Sequence, residues 1–352
     1  MSAATSPRSV SGSSRLVGAL ARWETLLLVV LVGLLVLGTQ LSPVFLTPRN
    51  FANLLQAVME VAIMALAMTL VIIAGEIDLS VESMAGLSCA VVGWLFMNGV
   101  PVEVAIPIAL VLGAAGGLLN GLLVTGFGLP SLVVTLGTLA LYRGLALVVL
   151  GSEGVSGFPD WFTSFGFGTV PGTPIPWPLL IFVGLAIVLG VVLHAMWPGR
   201  QLFALGKNAS AARYSGVRVA RTKLLLFVLN GTIAALAGVI LTARFASSRA
   251  DIGQGLTLTV VTIVLLGGVN IFGGRGTIPG VVLAAATLAV LGNVLRLTNV
   301  SAEIQSIAIG VLLIVSVVIP NLAHQVSAWM GRGPQAGRGS AATAGAGGTV
   351  SS

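Results

Sequence analysis

The protein has 352 residues, of which 56% are hydrophobic and only 8% are charged. A soluble domain carries roughly a quarter charged residues, so the composition excludes a globular protein solvated by water and makes lipid the main solvent. The net charge of +7 does not indicate nucleic-acid binding, because the basic residues lie between hydrophobic segments, where they set membrane orientation.

The composition divides the chain into a membrane domain with a tail at each end. Residues 1–22 are rich in Ser, Ala and Arg, and residues 326–352 are mostly small and polar, so we expect both to be disordered cytoplasmic tails. Residues 23–325 form the predicted membrane domain. Its first apolar run lacks a convincing cleavage site, which favours a retained helix over a signal peptide. Cys89 lies in an apolar stretch and is predicted to be a core residue.

The hydrophobic segments predict an all-α bundle of about ten transmembrane helices, since a bilayer needs about 20 apolar residues per span. Two of the segments, 84–98 and 256–272, are short and are predicted to be broken or re-entrant. The predicted spans are 25–45, 54–74, 84–98, 103–126, 131–150, 177–197, 224–243, 256–272, 278–294 and 303–320.

The distribution of Lys and Arg predicts that both termini lie inside. With that orientation, twelve basic residues fall in inner segments and four fall in outer loops, namely Arg49, Arg244, Arg249 and Arg296. This asymmetry follows the positive-inside rule. The outer segment 151–176 contains Gly and Pro, which oppose regular helix, and aromatic residues, which favour the headgroup region. It is predicted to be an external loop on the membrane surface.

Three carboxylates lie close together after the second span, at Glu76, Asp78 and Glu82. Facing lipid together they would cost roughly 8–10 kcal/mol, so they must meet water, a polar cavity or backbone donors. Asp78 and Ser80 resemble a helix N-terminus, where carboxylates meet free N–H groups. Two interpretations remain open, a cytoplasmic turn with capping residues and a hinge that lines a transport pathway.

Glu60 and Arg143 are isolated charges within predicted spans, and we consider that they pair with each other or contact a polar solute. Asn120, Asn230 and Asn293 are polar groups that can bond between helices or touch a hydroxylated solute. The glycines of the fourth predicted span recur at every fourth residue and predict close helix packing. They are Gly113, Gly117 and Gly121.

Three segments carry a resemblance to a known family. Residues 75–83 (GEIDLSVES) resemble a signature of ribose-type ABC importer permeases, a family that includes permeases for xylose, galactose, rhamnose and autoinducer-2. Glu82 replaces the usual glycine of that signature. Residues 205–217 are similar to a second motif of the family, and residues 266–280 to its glycine motif in the second half. The first and third motifs also resemble each other weakly, which suggests two pseudo-repeats.

The resemblance implies partners and roles. It implies two permease copies, identical or paralogous, with two separate ATPase subunits on the cytoplasmic side and an extracytoplasmic solute-binding protein. The inner segment 198–223 would couple to the ATPase, and the outer cations Arg49, Arg244 and Arg249 could meet the binding protein. The residues assigned to coupling are Ala209, Ala211, Ala212, Arg213, Ser215 and Gly216. Those assigned to the hinge are Gly75, Glu76, Asp78, Ser80 and Glu82, with Gly273, Gly274, Arg275 and Gly276 as the glycine motif.

The sequence therefore predicts a multi-pass permease of the bacterial inner membrane, with no catalytic site, bound metal or cofactor of its own. Gly206 and Lys207 resemble the end of a P-loop, but the first glycine and the final Ser/Thr are absent, so ATP is expected on the partner subunits. Glu60, Asn120 and Arg143 are the candidate polar residues of the pathway. The alternatives are a branched-chain amino-acid ABC permease and an ion-coupled secondary transporter that uses Glu60, Asp78 or Arg143 as a relay.

Overall fold

A computed structural model describes residues 23–330, and the predicted tails outside that range are not described. The first seven helices are α1 (Trp23–Leu41), α2 (Pro48–Gln56), α3 (Met59–Ile73), α4 (Val81–Met97), α5 (Val102–Gly126), α6 (Ser131–Leu150) and α7 (Asp160–Phe167). The remaining helices are α8 (Trp177–His194), α9 (Trp197–Lys207), α10 (Ala209–Tyr214), α11 (Val219–Phe245), α12 (Leu256–Leu266), α13 (Ile278–Leu297) and α14 (Ala302–Met330). Two short strands, β1 (Val155–Ser156) and β2 (Ser247–Ser248), pair antiparallel.

Six helices of the described chain are long and apolar enough to cross a membrane, namely α1, α5, α6, α8, α11 and α13. The pair α2 and α3, bent by 43° at their junction, makes a seventh if it counts as one span. This confirms a polytopic helical membrane protein. The count of ten spans and the inside location of the termini stay predictions. Helices α4 and α12, from the two segments predicted to be short, have 17 and 11 residues.

Helix α3 is the centre of the bundle. All of its residues from Met59 to Ile73 are buried, and α8, α11 and α12 pack against it. In contrast, α1, α5, α6 and α8 expose apolar side chains such as Val148 and Val111 on their outer faces. Exposed apolar faces are expected where lipid is the solvent, and a wholly buried helix belongs in the interior of the bundle.

The predicted glycine stripe of α5 lies against α11, as close packing requires. A side chain at Gly113 would collide with Gly231, and one at Gly117 would collide with the backbone of Phe227. Gly121 lies over Leu224 in the same way. The bare stripe therefore allows the two helix backbones to approach each other, which is the usual role of small residues in membrane helices.

The segment 151–176, predicted to be an irregular outer loop, contains the eight-residue helix α7. Pro159 precedes the first turn of α7, where its missing N–H costs nothing, so the prolines start the helix and do not block it. Phe158 and Phe162 are buried against residues of α4, α5 and α11 such as Val92 and Ala105. The segment is therefore anchored into the bundle by its aromatic residues, while Trp161 remains half exposed.

Candidate translocation and coupling site

The first helix break separates α3 from α4 and contains most of the predicted hinge residues. Helix α3 ends at Ile73, Gly75 follows it with a positive φ of 81° that favours glycine, and the chain is then irregular until α4 begins at Val81. An irregular segment leaves backbone groups without helical partners, so neighbouring side chains must satisfy them. Ser131 accepts a hydrogen bond from the Ile77 N–H, and the Thr135 hydroxyl donates to the Ile77 carbonyl.

Asp78 is the centre of a buried polar network. One carboxylate oxygen accepts hydrogen bonds from the Ser80 N–H at 3.0 Å and the Ser80 hydroxyl at 2.6 Å, and the other accepts from the Asn230 amide at 2.9 Å. The Asn120 amide donates to the Ser80 hydroxyl oxygen at 2.9 Å. Tyr142 donates to the Gly116 carbonyl and lies 3.3 Å from the Asn120 carbonyl oxygen. The network joins the break to α5, α6 and α11.

Glu82 belongs to α4, but its side chain lies at the N-terminus of a different helix, α12. Its carboxylate accepts a hydrogen bond from the Thr257 N–H at 2.9 Å, in the first turn of α12. Helix α12 has no N-cap side chain of its own, since Gly255 precedes it. A carboxylate at that position satisfies a free N–H and interacts favourably with the helix dipole. Glu82, which replaces the usual glycine of the motif, therefore ties α4 to α12.

Glu60 and Arg143 are not partners of each other, and the prediction that they pair is wrong. Arg143 lies 3.9 Å from Glu82 and donates to the carbonyls of Ala250 and Ile252. Glu60, at the start of α3, pairs at 2.6 Å with Arg244, in the last turn of α11. Each charge finds a nearer partner on a helix that packs against its own, so neither has to reach the other.

All three sequence motifs meet at one place, which we call the motif junction and define as Gly75, Gly206, Gly273 and Gly274. The Gly274 N–H donates to the Ile73 carbonyl at 2.8 Å. A side chain at Gly206 would collide with that same carbonyl and with the Gly274 nitrogen, and one at Gly273 would lie 2.9 Å from the Gly75 Cα. The end of α9 is thus wedged between the break that follows α3 and the glycine loop that follows α12.

The coupling segment connects to the first break by a salt bridge as well. Lys223, at the start of α11, pairs with Glu76, and both side chains are largely buried. Arg275 of the glycine motif is exposed, while its carbonyl accepts from the Asn270 N–H and closes the loop. Gly276 lies against Val269 and Ile73. The break, the coupling segment and the glycine loop therefore form a single packed unit.

Helix α10 is a short helix within the segment 205–217. Asn208 caps it by accepting a hydrogen bond from the Ala211 N–H at 2.9 Å, and Gly216 follows it with a φ of 85°. Ala209, Ala211, Arg213, Ser215 and Gly216 are exposed. Ala212 is only 3% exposed, so it packs inward and does not belong to the surface that a partner could touch.

Several residues of the site were not singled out by sequence reasoning. Tyr214 is 92% exposed on α10, the most exposed of the large apolar side chains in the described chain. Lys223 and Thr257 supply partners to the predicted carboxylates Glu76 and Glu82. Their signals in the sequence are weak because each partner lies far along the chain from its carboxylate, and no spacing rule connects the two. Arg244, predicted as an outer cation free to meet a partner, is held by Glu60.

Comparison with known proteins places the chain in a family. The sequence model of the family described as branched-chain amino acid transport system / permease component matches residues 50–317, which contain both helix breaks and the coupling segment.

The chain belongs to this permease family.

Individual relatives agree with that assignment. The chain is 39% identical over 281 residues to the autoinducer 2 import system permease protein LsrD of Yersinia enterocolitica, covering 77% of this chain and 84% of the relative. It is 37% identical to the LsrD proteins of Photorhabdus laumondii and Yersinia pestis, again over 281 residues that cover 77% of this chain and 84% of each relative. No solved structure matches it. The resemblance to ABC importer permeases and the multi-pass inner-membrane location are thereby confirmed.

Proposed function

We propose that this protein is the translocation subunit of an ATP-driven importer for an uncharged sugar-like solute of the ribose, rhamnose, xylose or autoinducer-2 type. Two copies, or this chain and a paralogue, would enclose the pathway. Two ATPase subunits would dock on the cytoplasmic side, and an extracytoplasmic binding protein would deliver the solute. The relatives are named for autoinducer 2 import, which supports this substrate class over branched-chain amino acids.

The observation that carries the proposal is the motif junction. An importer must convert a movement of the ATPase subunits into a movement of the membrane helices. Here the segment that includes α9 and α10 touches the break after α3 and the glycine loop after α12 with no side chain between the backbones. Packed interfaces of this kind transmit displacement, because close-packed atoms cannot absorb it. A push on α10 would therefore reach both discontinuous helices at once.

The charges of the interior support an uncharged solute. Asp78 accepts from the Ser80 N–H just before α4, and Glu82 accepts from the Thr257 N–H of α12, so a carboxylate already lies beside each of these helix N-termini and disfavours an anionic solute. Arg143 is held by Glu82 and two carbonyls, and Glu60 by Arg244. These partners favour a structural role for the interior charges over a relay for a coupling ion. The asparagine and serine side chains around the break are groups that can form hydrogen bonds with a hydroxylated solute.

Orientation and partner surfaces follow from the charge distribution. With the termini inside, α10 and the motif junction face the cytoplasm, and α2 and α7 face outward. Arg49 is then the outer cation best placed for a binding protein, since it is exposed on α2 beside Asn53 and Gln56, whereas Arg249 is paired with Asp251. Because Cys89 is the single cysteine, single-cysteine variants at positions 213 and 173 in a Cys89→Ser background would report the two sides by labelling.

The deciding experiment is solute uptake into proteoliposomes that contain this chain, its candidate permease partner, the ATPase and the binding protein. We expect ATP-dependent uptake that requires all components and is unaffected by a protonophore. Omission of the binding protein or of ATP should each abolish uptake. Uptake by this chain alone that collapses with the proton gradient would contradict the proposal and assign the protein to the ion-coupled transporters.

A further inference from the structure

A cavity of about 120 Å³ lies between the outer ends of α3, α13 and α14, away from the motif junction. Its walls are mostly apolar and include Val58, Val61, Leu288, Leu295 and Ile309, with Thr259 and Gln305 as polar exceptions. The cavity is partly open, and α14, which forms one wall, exposes further apolar side chains such as Ile307. An apolar cavity facing lipid can take a hydrocarbon chain at no cost in lost hydrogen bonds, whereas water gains little there because it needs polar partners.

Arg296 lies at the mouth of this cavity, in the last turn of α13. Its side chain folds back along the helix, and one guanidinium nitrogen lies 3.5 Å from the point where a Cβ on Gly292 would be. Glycine at that position leaves room for the guanidinium above the cavity. The cation and the apolar walls therefore belong to the same site.

Among the side chains that the structure describes, the Arg296 guanidinium has no hydrogen-bond or ion-pair partner, unlike Arg143, Arg244 and Arg249, each of which has a carboxylate. Arg244, in the last turn of α11, is a second arginine at the same end of the bundle. Arg244 itself is held by Glu60. Glu60 therefore neutralises Arg244 and leaves the positive charge of Arg296 without a carboxylate partner, so the outer end of α13 favours an anion.

We propose that this cavity is a binding site for one anionic phospholipid, with its phosphate on Arg296 and part of an acyl chain between α3, α13 and α14. A phosphodiester matches the guanidinium because it accepts paired hydrogen bonds from the planar fork. The acyl chain matches the apolar walls. A free anion would pair with Arg296 but leave the apolar cavity empty. A neutral lipid would fill the cavity but leave the arginine unpaired. The two features together therefore favour a molecule with both an anionic group and an acyl chain.

The test is native mass spectrometry of the full chain in detergent, titrated with phosphatidylglycerol. We expect one lipid to bind more tightly than the rest, and Arg296→Gln to weaken that event by about tenfold or more, the loss of one charge-assisted hydrogen bond. Arg249→Gln, which removes an exposed arginine that already has a carboxylate partner, is the matched control and should leave the binding curve unchanged. Arg296→Lys should restore part of the affinity, because the charge returns without the fork.

A second variant separates the two halves of the site. Gly292→Leu places a side chain at the mouth of the cavity, where nothing but the arginine is within 4 Å, so the fold should tolerate it while lipid binding falls. Equal retention of phosphatidylglycerol by wild type and Arg296→Gln would overturn the proposal. Binding of inorganic phosphate that displaces no lipid, or equal affinity for phosphatidylcholine and phosphatidylglycerol, would also overturn it, since the site would then recognise only one of the two parts.

Discussion

The backbone N–H of Gly274 donates to the carbonyl of Ile73, and this hydrogen bond of 2.8 Å joins the end of α3 to the loop between α12 and α13. A helix that ends in the membrane leaves carbonyls unsatisfied, and lipid cannot serve them. The bond supplies one partner for such a carbonyl. Gly206 lies against both atoms, so the last turn of α9 covers the bond that holds the two breaks together.

Gly206→Ala should destabilise the protein although alanine favours helix. Gly206 lies within α9, where alanine would normally gain about 0.5–1 kcal/mol, but its Cβ would collide with the Ile73 carbonyl and the Gly274 nitrogen. Overpacking of this kind costs about 1–3 kcal/mol, so we expect a net loss of stability. The measurement is the thermal midpoint of the purified protein in detergent.

Gly184→Ala is the control for that change. Gly184 lies in α8 with no atom within 4 Å of a Cβ, so alanine there should leave the midpoint unchanged or raise it. If Gly206→Ala behaves like Gly184→Ala, the close packing at the motif junction is wrong.

Glu82→Gln should weaken the join between α4 and α12. The amide retains an acceptor for the Thr257 N–H but loses the charge that faces Arg143 and the helix dipole. We expect a loss of about 1–2 kcal/mol, since a charge-assisted hydrogen bond is replaced by a weaker neutral one. Thermal unfolding in detergent measures it, with Glu103→Gln, an exposed residue in the first turn of α5, as the matched control. An equal response of the two variants would count against the capping role.

Glu60 and Arg244 should show energetic coupling in a double-mutant cycle. We expect an interaction energy of about 1–3 kcal/mol between Glu60→Gln and Arg244→Gln, because residues in contact in a buried pair are not additive. The same cycle between Glu60→Gln and Arg143→Gln should give a value near zero, since those residues have separate partners. Unfolding free energies of the single and double variants provide the measurement. Coupling to Arg143 that equals coupling to Arg244 would refute the observed pairing.

Tyr214→Ala should uncouple the transporter without affecting its fold. Tyr214 is 92% exposed on α10, and aromatic residues at the centre of an interface often contribute 2 kcal/mol or more to binding, about a thirtyfold change in affinity. We expect weaker ATPase binding and a matching loss of solute-stimulated ATP hydrolysis and uptake, with an unchanged thermal midpoint.

Leu46→Ala controls for the loss of an exposed apolar side chain, since Leu46 is 74% exposed between α1 and α2, on the side assigned to the exterior. It should leave ATPase binding intact. Ala212→Glu is the less useful test, because Ala212 is buried and its replacement would disturb packing first. Normal ATPase affinity of Tyr214→Ala would remove this residue from the proposed docking surface.

Three properties could be predicted from the sequence: that the protein lies in lipid, that it is a helical membrane protein, and that it belongs to a permease family. So few charges leave lipid as the only medium that suits the surface, and apolar segments of helical length follow from it. The motifs at 75–83, 205–217 and 266–280 determined the family, because each is a local run of residues. The close packing of Gly113 and Gly117 was also predictable, since a four-residue spacing places both on one helix face whatever the neighbour is.

Which charged and polar residues become partners depends on the packing of the helices. The pairing of Glu60 with Arg244, the capping of α12 by Glu82 and the meeting of Gly75, Gly206 and Gly274 join segments far apart in the chain. The sequence shows that a buried charge needs a partner, but several candidates satisfy that need equally well. The choice among them depends on which helices pack together, and that is a property of the whole bundle.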